Sequence, residues 1–300
     1  MTFIGWIKCQ LRKSARVKLI YSRARWRIHV LKDWWGTVVW TRTTEVQTPL
    51  GFKLSTGFHP AYNQMRNGTF ELEETALIAR LLEQVDRFVD VGANLGYYTC
   101  LALQKGRDVM AVEPQPRNLK NLYRNLVSNG WQDSAEVMLV ALSDAPGLML
   151  LYGASGPSAS LLRNWAGYSP RYSQLVAVST LDNLLAGRFK GERLLIKIDV
   201  EGAEYAVLNG APLTLRRDIA PMWLLEVCLH EFHPAGFNPD FLRVFQLFWE
   251  HGYEAYTAEA QPRLVPRERV QAWWSNRRTD SESFNYIFAI ATTLDGFTAH

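Results

Sequence analysis

The sequence has 300 residues, 48% of them apolar, enough for one large α/β domain with extensions or for two small domains. No apolar run reaches the length needed to cross a bilayer. Lys8, Arg12, Lys13 and Arg16 break up the stretch in which a signal peptide would need an apolar core, and Cys9, Cys100 and Cys228 are too few and scattered for a disulfide framework, which points to a reducing, cytoplasmic setting. Nine Lys/Arg and no Asp/Glu precede Asp33; the whole chain holds 33 Lys/Arg and 29 Asp/Glu, leaving the rest with 24 bases against 29 acids, so the basic balance belongs to an amino-terminal arm and not to the body.

In chain order, residues 3–16 read as an amphipathic helix. Phe3, Ile4, Ile7, Leu11 and Ala15 share one face, and the basic residues lie largely opposite. Such a helix suits the surface of an anionic membrane, or packing on its own domain or a partner. The arm as a whole is taken as 1–43. A lead-in follows over 44–87, with a hairpin at 44–56 turning at Pro49-Leu50-Gly51 and a helix over 71–85. From 88 onward strands and helices alternate. Strands are expected at 88–91, 109–113, 136–140, 194–200, 222–228, 253–257 and 285–291, and helices at 116–129, 181–186, 203–209 and 239–251. A hairpin-like segment at 147–152, an irregular loop over 153–171 and a strand at 175–178 interrupt the series. Repeated strand–helix units imply a mostly parallel sheet. The last strand is expected to enter that sheet antiparallel, beside 222–228. Residues 292–300 form a tail.

The chain is organised around Phe-Val-Asp-Val-Gly-Ala-Asn-Leu-Gly-Tyr-Tyr at 88–98. This reads as strand, tight turn and helix, with Gly92 and Gly96 where a ligand must approach the backbone. Glu113 ends the next strand, about 20 residues on, where a carboxylate can accept both hydroxyl protons of a ribose. NAD and S-adenosylmethionine both satisfy that geometry. Asp90, two residues before Gly92, places a carboxylate where a pyrophosphate would not want one, whereas S-adenosylmethionine carries an ammonium and a sulfonium and no phosphate. The alternative, an NAD(P)-dependent oxidoreductase, is therefore disfavoured, as is a nucleic-acid-binding module, because the body has no basic stripe.

A second constellation, Lys197-Ile198-Asp199-Val200-Glu201-Gly202-Ala203-Glu204, crowds charge at a strand end. Alternation puts Lys197 and Asp199 on one face. The bland reading is a paired Lys–carboxylate network; the functional one is a ligand crevice at the carboxyl ends of strands.

With these segments in view, the sequence resembles the FkbM family of S-adenosylmethionine-dependent methyltransferases. The resemblance is carried by Val89-Asp90-Val91-Gly92-Ala93-Asn94-Leu95-Gly96, Val112-Glu113-Pro114, Ala141-Leu142-Ser143-Asp144 and Ile196–Glu204, with Gly68-Thr69-Phe70-Glu71 as a lead-in, and it covers about residues 50–291. It implies a Rossmann-like class I methyltransferase fold, α/β, with a seven-stranded mostly parallel sheet flanked by helices, the domain being 88–291. It implies that Asp90, Gly92, Asn94, Gly96 and Glu113 hold S-adenosyl-L-methionine, with Ser143 and Asp144 near its adenine. Asp199 would lie near the methyl group, with Lys197 and Glu201 positioning cofactor or acceptor. The expected acceptor is a hydroxyl of a glycan, glycolipid or small metabolite, and no nucleic acid. Asp199 is the first choice of base, Glu226 and His230 the second; no metal is assigned, although a divalent ion on Asp199 and Glu226 is compatible with the residues. The arm implies a cytoplasmic protein with peripheral contact to the inner face of a membrane.

Overall fold

The computed structural model describes residues 44–57, 60–153, 158–281 and 283–290. The helix expected at 3–16, with the rest of the arm and the tail, lies outside the described residues.

Thr44–Gln47 (β1) and Lys53–Thr56 (β2) form the expected hairpin, Thr44 opposite Thr56. Pro60–Asn67 (α1) is helical although only Tyr62 and Met65 mark a buried face, too short a signal to read from periodicity. Leu72–Leu81 (α2) follows, shorter than the expected 71–85: Glu71 stands at φ 39 and begins no helix, and past Leu81 the chain tightens into turns, the Glu83 and Gln84 N–H groups donating to the Arg80 and Leu81 carbonyls. The alternation then runs as Arg87–Val91 (β3), Tyr97–Gln104 (α3), Asp108–Val112 (β4), Pro116–Asn129 (α4) and Ala135–Met138 (β5). Ala141–Leu142 (β6), Gly147–Tyr152 (β7) and Ser173–Ser179 (β8) come next, then Leu181–Leu185 (α5), Leu194–Ile198 (β9), Glu204–Asn209 (α6) and Met222–Glu226 (β10). Phe241–Glu250 (α7), Glu254–Thr257 (β11), Arg267–Asn276 (α8) and Asn285–Ala289 (β12) complete the described chain.

Seven strands make the main sheet in the order β11-β12-β10-β9-β3-β4-β5. Neighbours are parallel except that β12 runs antiparallel to both β10 and β11, as expected of the last strand. The segments at 147–152 and 175–178 do not join it. They pair with each other and with Ala141–Leu142 in a separate three-stranded sheet, inserted in the crossover between β5 and β9. The helix α8 is also unannounced by the sequence; Trp273 in it is buried and Trp274 packs on Phe237, ring centroids 4.6 Å apart, so the pair serves packing.

The helix α7 shows how burial follows spacing. Phe241, Val244, Phe245 and Phe248 recur at three- and four-residue intervals and all are buried. Phe248 stacks on Phe288 of β12 at 3.9 Å, while Phe245 meets Tyr286 edge-on. On the opposite side, α4 uses asparagines as braces. Asn125, fully buried, accepts the Ser55 N–H (2.6 Å) and donates to the Leu95 carbonyl (2.8 Å). Asn129 accepts the Lys53 N–H and donates to its carbonyl. The hairpin is thereby tied to the helix that follows β4.

Candidate active site

The chain proceeds β3, β4, β5 to one side of the sheet and then returns to β9 and β10 on the other, so β3 and β9 flank a topological switch point. In open α/β sheets ligands bind at the carboxyl ends of strands beside such a point. A cleft of about 320 Å³ lies there, lined by Asp90, Gly92, Asn94, Glu113, Lys197, Asp199, Glu201 and Glu226 among others.

The turn after β3 is fixed by backbone contacts. The Gly92 and Ala93 N–H groups donate to the Val112 carbonyl, and the Asp199 N–H donates to Val91. Gly92 has φ 87, and a Cβ there would stand 1.9 Å from the Asp199 carbonyl oxygen, so only glycine lets the two strand ends come this close. Glu113 closes the turn from the side. Its carboxylate accepts the Asn94 N–H (2.8 Å), the Gln115 N–H (2.8 Å) and the Asn118 amide (3.3 Å). Burial pushes the Glu113 carboxyl up to about 7 against those three donors.

Beneath the turn lies a charged floor. Asp90 is opposite Lys197 in the sheet register and accepts from the Thr99 hydroxyl at 2.6 Å; burial raises its carboxyl, partly offset by Lys197. The Lys197 ammonium donates to Asp199 at 2.8 Å, lies 4.0 Å from Glu74 and stands 5.0 Å from the centre of the Tyr98 ring. Burial opposes its charge, yet the carboxylates of Asp199, Glu74, Asp90 and Glu71 outweigh burial and hold it above the ordinary lysine range. Burial would also raise Asp199, but the adjacent ammonium prevails and holds it below the carboxylate range. The Asp199 side chain keeps 32% of its surface accessible, so an acceptor can reach it.

The far wall carries carboxyls of the opposite tendency. Glu201 stands at φ 59 and accepts from the Trp165 indole at 2.7 Å; burial and Asp199 push it up to about 8. Glu226 bonds Asp199 and is raised well above its usual range, by burial first and Asp199 second. Glu204 caps the turn by accepting the Gly202 N–H (2.9 Å). Gly202 is packed against Trp165, where a Cβ would fall 2.3 Å from a ring carbon.

Of the site residues expected from sequence, Asp90, Gly92, Asn94, Glu113, Lys197, Asp199 and Glu201 thus meet in one cleft, and Glu226 joins them. Gly96, Ser143 and Asp144 are not in its lining. Gly96 faces α4, where a Cβ would sit 2.9 Å from Leu122, and Ser143 donates to Asp144 behind the lining residues Val140, Ala141 and Leu142. His230 also lies away from it, both ring nitrogens engaged by the carbonyls of Gly236 and Arg277. Sequence reading missed Glu74, Tyr98 and Trp165. Tyr98 donates to Glu71 at 2.7 Å, and Glu74 is nearly fully buried, accepting from Asn285. Glu71 had a signal in the Gly-Thr-Phe-Glu lead-in, with Glu74 one helical turn on, and Tyr98 closes the glycine-turn stretch at 88–98; Trp165 lies in an irregular segment without one. Among the described residues no cluster of three His, Cys, Asp or Glu is arranged to hold a metal ion.

The model of the methyltransferase FkbM domain matches residues 90–255, more than half of the chain and all of the cleft's glycine turn and charged strand ends. The chain belongs to the FkbM methyltransferase family. No functionally curated protein matches it. Among solved structures it is similar to the FkbM methyltransferase from Methylobacillus flagellatus KT, with 16% identity and a TM-score of 0.42, covering 69% of this chain and 44% of that one. The chain therefore spans less than half the length of that relative. It is also similar to the O-methyltransferase from Bacillus cereus in complex with SAH (11%, TM-score 0.41, 72% of this chain and 78% of that one). A third is the ribosomal protein L11 methylase from Lactobacillus delbrueckii subsp. bulgaricus (10%, TM-score 0.38, 72% and 76%).

The fold of this FkbM domain is the class I methyltransferase fold, and its cofactor is S-adenosylmethionine. The residues present fit that molecule. The cleft's lining holds six carboxyls and one ammonium, a balance suited to a ligand with a sulfonium and an ammonium. The buried Asn94 Oδ1 has no partner among the described residues and is free to receive a donor.

Proposed function

We propose that this FkbM protein transfers a methyl group from S-adenosylmethionine to a hydroxyl of a sugar, glycolipid or related metabolite. The observation that carries the reading is the neighbouring pair Asp199 and Glu226, one carboxyl held below its ordinary range and one far above it. Environments that separate the proton affinities of adjacent carboxyls assign acid and base roles at one pH. The bound cofactor supplies an activated methyl group. Asp199 accepts the acceptor's hydroxyl proton, which would leave the oxygen able to take the methyl group that the bound cofactor would supply. Lys197 keeps Asp199 ionised and fixed in direction; Glu201 positions the acceptor or the cofactor from the Trp165 side. Glu113 accepts from the ribose hydroxyls, while Asp90, Gly92 and Asn94 shape the turn around the cofactor. Gly96 supports that turn from behind, and Ser143 and Asp144 set the segment next to the adenine.

An acidic lining also opposes a phosphate backbone or a pyrophosphate, which argues against nucleic acid and NAD(P) as ligands. No helix among the described residues is long and apolar enough to cross a membrane. A cytoplasmic protein that touches the inner face of a membrane through its basic arm is the location we propose, where lipid-linked sugars would be within reach. The test is incubation with isotopically labelled S-adenosylmethionine and a glycan and glycolipid extract, followed by mass spectrometry. A labelled methyl ether on a sugar supports the reading; label on a nucleic acid, an amine or a protein overturns the acceptor assignment.

A further inference from the structure

We propose that the carboxyl-lined wall of this cleft selects the methyl donor over its demethylated product by charge, and that it does so by giving up a proton when the donor binds. The inference rests on the cofactor assignment above and goes beyond it, because it concerns how one cleft tells two nearly identical molecules apart.

The two ligands differ by one methyl group and one unit of charge, since the donor is a sulfonium and the product a neutral thioether. A single methyl group discriminates only weakly, by roughly 10- to 200-fold even in a pocket shaped for it. Charge acts further where carboxyls are crowded and water is scarce. Here Glu201 of the turn after β9 is faced by Asp199, by Glu204 at the start of α6, by Glu226 at the end of β10, by Ser158 and by the Trp165 indole. Glu226 at the end of β10 is faced by Asp199, Glu201, Glu204 and Cys228. Glu71, ahead of α2, is faced by Lys197, Tyr98, Asp199 and Glu74. One buried ammonium, Lys197, serves this group of carboxyls, and it is committed to Asp199 at 2.8 Å.

Mutual repulsion and burial keep some of these carboxyls protonated in the free protein; Glu201, pushed up to about 8, is the clearest case. A cation entering the cleft stabilises the ionised form, so a proton leaves as the donor binds. The product brings no such charge and releases none. Transfer would keep the balance: the donor's positive charge would be lost with its methyl group, and the hydroxyl proton goes to Asp199, which restores the one proton that the carboxyl cluster lost from Glu201 on binding. The cleft is then neutralised around a ligand that it no longer attracts.

The sign of the pH effect follows. Below about 8 the donor must displace a proton from Glu201, so its affinity should rise with pH and level off above that value. Product affinity should stay nearly flat. The experiment is calorimetric titration of the full chain with S-adenosylmethionine, S-adenosylhomocysteine and sinefungin, which carries an ammonium where the sulfonium stands. Each is measured at pH 6.5 and 8.5, in two buffers of different ionisation enthalpy, which gives the protons released. We expect donor and sinefungin to bind at least about tenfold more tightly than the product at pH 8.5, with a smaller ratio at pH 6.5. We also expect proton release with the two cations only. Glu201→Gln keeps an oxygen for the Trp165 indole and should reduce both the proton release and the preference. Equal affinities for all three ligands at both pH values, or equal proton release, overturn the inference while leaving the cofactor assignment standing. Absence of binding by all three removes the assignment and the inference together.

Discussion

Asp199 is partly exposed in the cleft, held by Lys197 and kept ionised, a combination we assign to the base. Asp199→Asn preserves the shape and removes the charge; turnover should fall by roughly two to four decades, with cofactor affinity little changed. Wild-type turnover in this variant would move the base to Glu226. Glu113 closes the glycine turn through the Asn94 N–H, and in the proposed reading it also accepts from the ribose. Charge-assisted hydrogen bonds contribute about 1.5–3 kcal/mol each, so Glu113→Ala should weaken S-adenosylmethionine binding at least about tenfold by calorimetry. Unchanged affinity would take Glu113 out of the site. Gly92→Ala asks a Cβ to occupy the place of the Asp199 carbonyl at a φ of 87. The melting temperature should drop by at least roughly 4 °C, and cofactor binding should vanish. These three residues were legible because each sits at a strand end inside a compact motif. Trp165 was not, since its partner Glu201 is 36 positions away in a loop without periodicity.

Elements were readable where one face is apolar over several turns. The helix α7 repeats aromatic residues at helical spacing, and its burial follows that spacing. The helices α1 and α8 bury two residues each, too few to stand out from a polar background. The strands β7 and β8 were visible as strands, but which sheet they joined was not, because pairing is decided by partners distant in sequence and not by local pattern. The most informative element contact is the asparagine brace. Asn125→Ala leaves the buried Ser55 N–H and Leu95 carbonyl without partners, which should cost about 1–3 kcal/mol in chemical denaturation. A loss below about 0.5 kcal/mol would mean that water replaces the amide. Cofactor affinity should weaken in parallel, since Leu95 belongs to the turn that precedes α3.

The whole molecule carries an unusual proton balance. Glu74 and Glu201 are raised to about 8, and Glu113 and Glu204 to about 7, from an ordinary value of 4.5. A carboxyl raised on folding binds its proton more tightly in the native state. Its contribution is complete below the unfolded value and is lost as pH rises through the folded one. Asp199 has the opposite sign, being lowered from 3.8, and its contribution is lost only in acid below that value. Between about pH 5 and 8.5 the raised group dominates, so the free protein should melt at a lower temperature at pH 8.5 than at pH 5.5. Scanning calorimetry across that range tests this, and a flat or rising profile would refute it. The amino-terminal arm, outside the described residues, carries a separate expectation. Each basic residue near an anionic bilayer contributes about 1 kcal/mol, screened by salt, and the apolar face expected of a helix over residues 3–16 would add attraction that salt does not weaken. Full-length protein should therefore co-sediment with anionic vesicles at low salt, and a chain starting at Thr44 should not; equal behaviour of the two would assign the arm to packing or assembly.

The position of β12 has a consequence for synthesis. It lies between β10 and β11 and, among the described residues, is the only sheet neighbour of β11. As the chain leaves the ribosome, residues 254–257 are made well before the strand that must receive them, and the exposed edge of β10 waits for the same segment. The sheet can form from β3 to β10 but cannot close on that side until residues 285–289 emerge. Asn285, at the head of that strand, also donates to Glu74 beneath the cleft, so the floor of the site is completed only after the other strands of the sheet have been made. Nascent chains arrested before that strand should be cleaved by protease on the β10–β11 side and should fail to retain labelled cofactor, whereas chains arrested beyond the strand, with enough linker to clear the exit tunnel, should resist cleavage there and retain the cofactor.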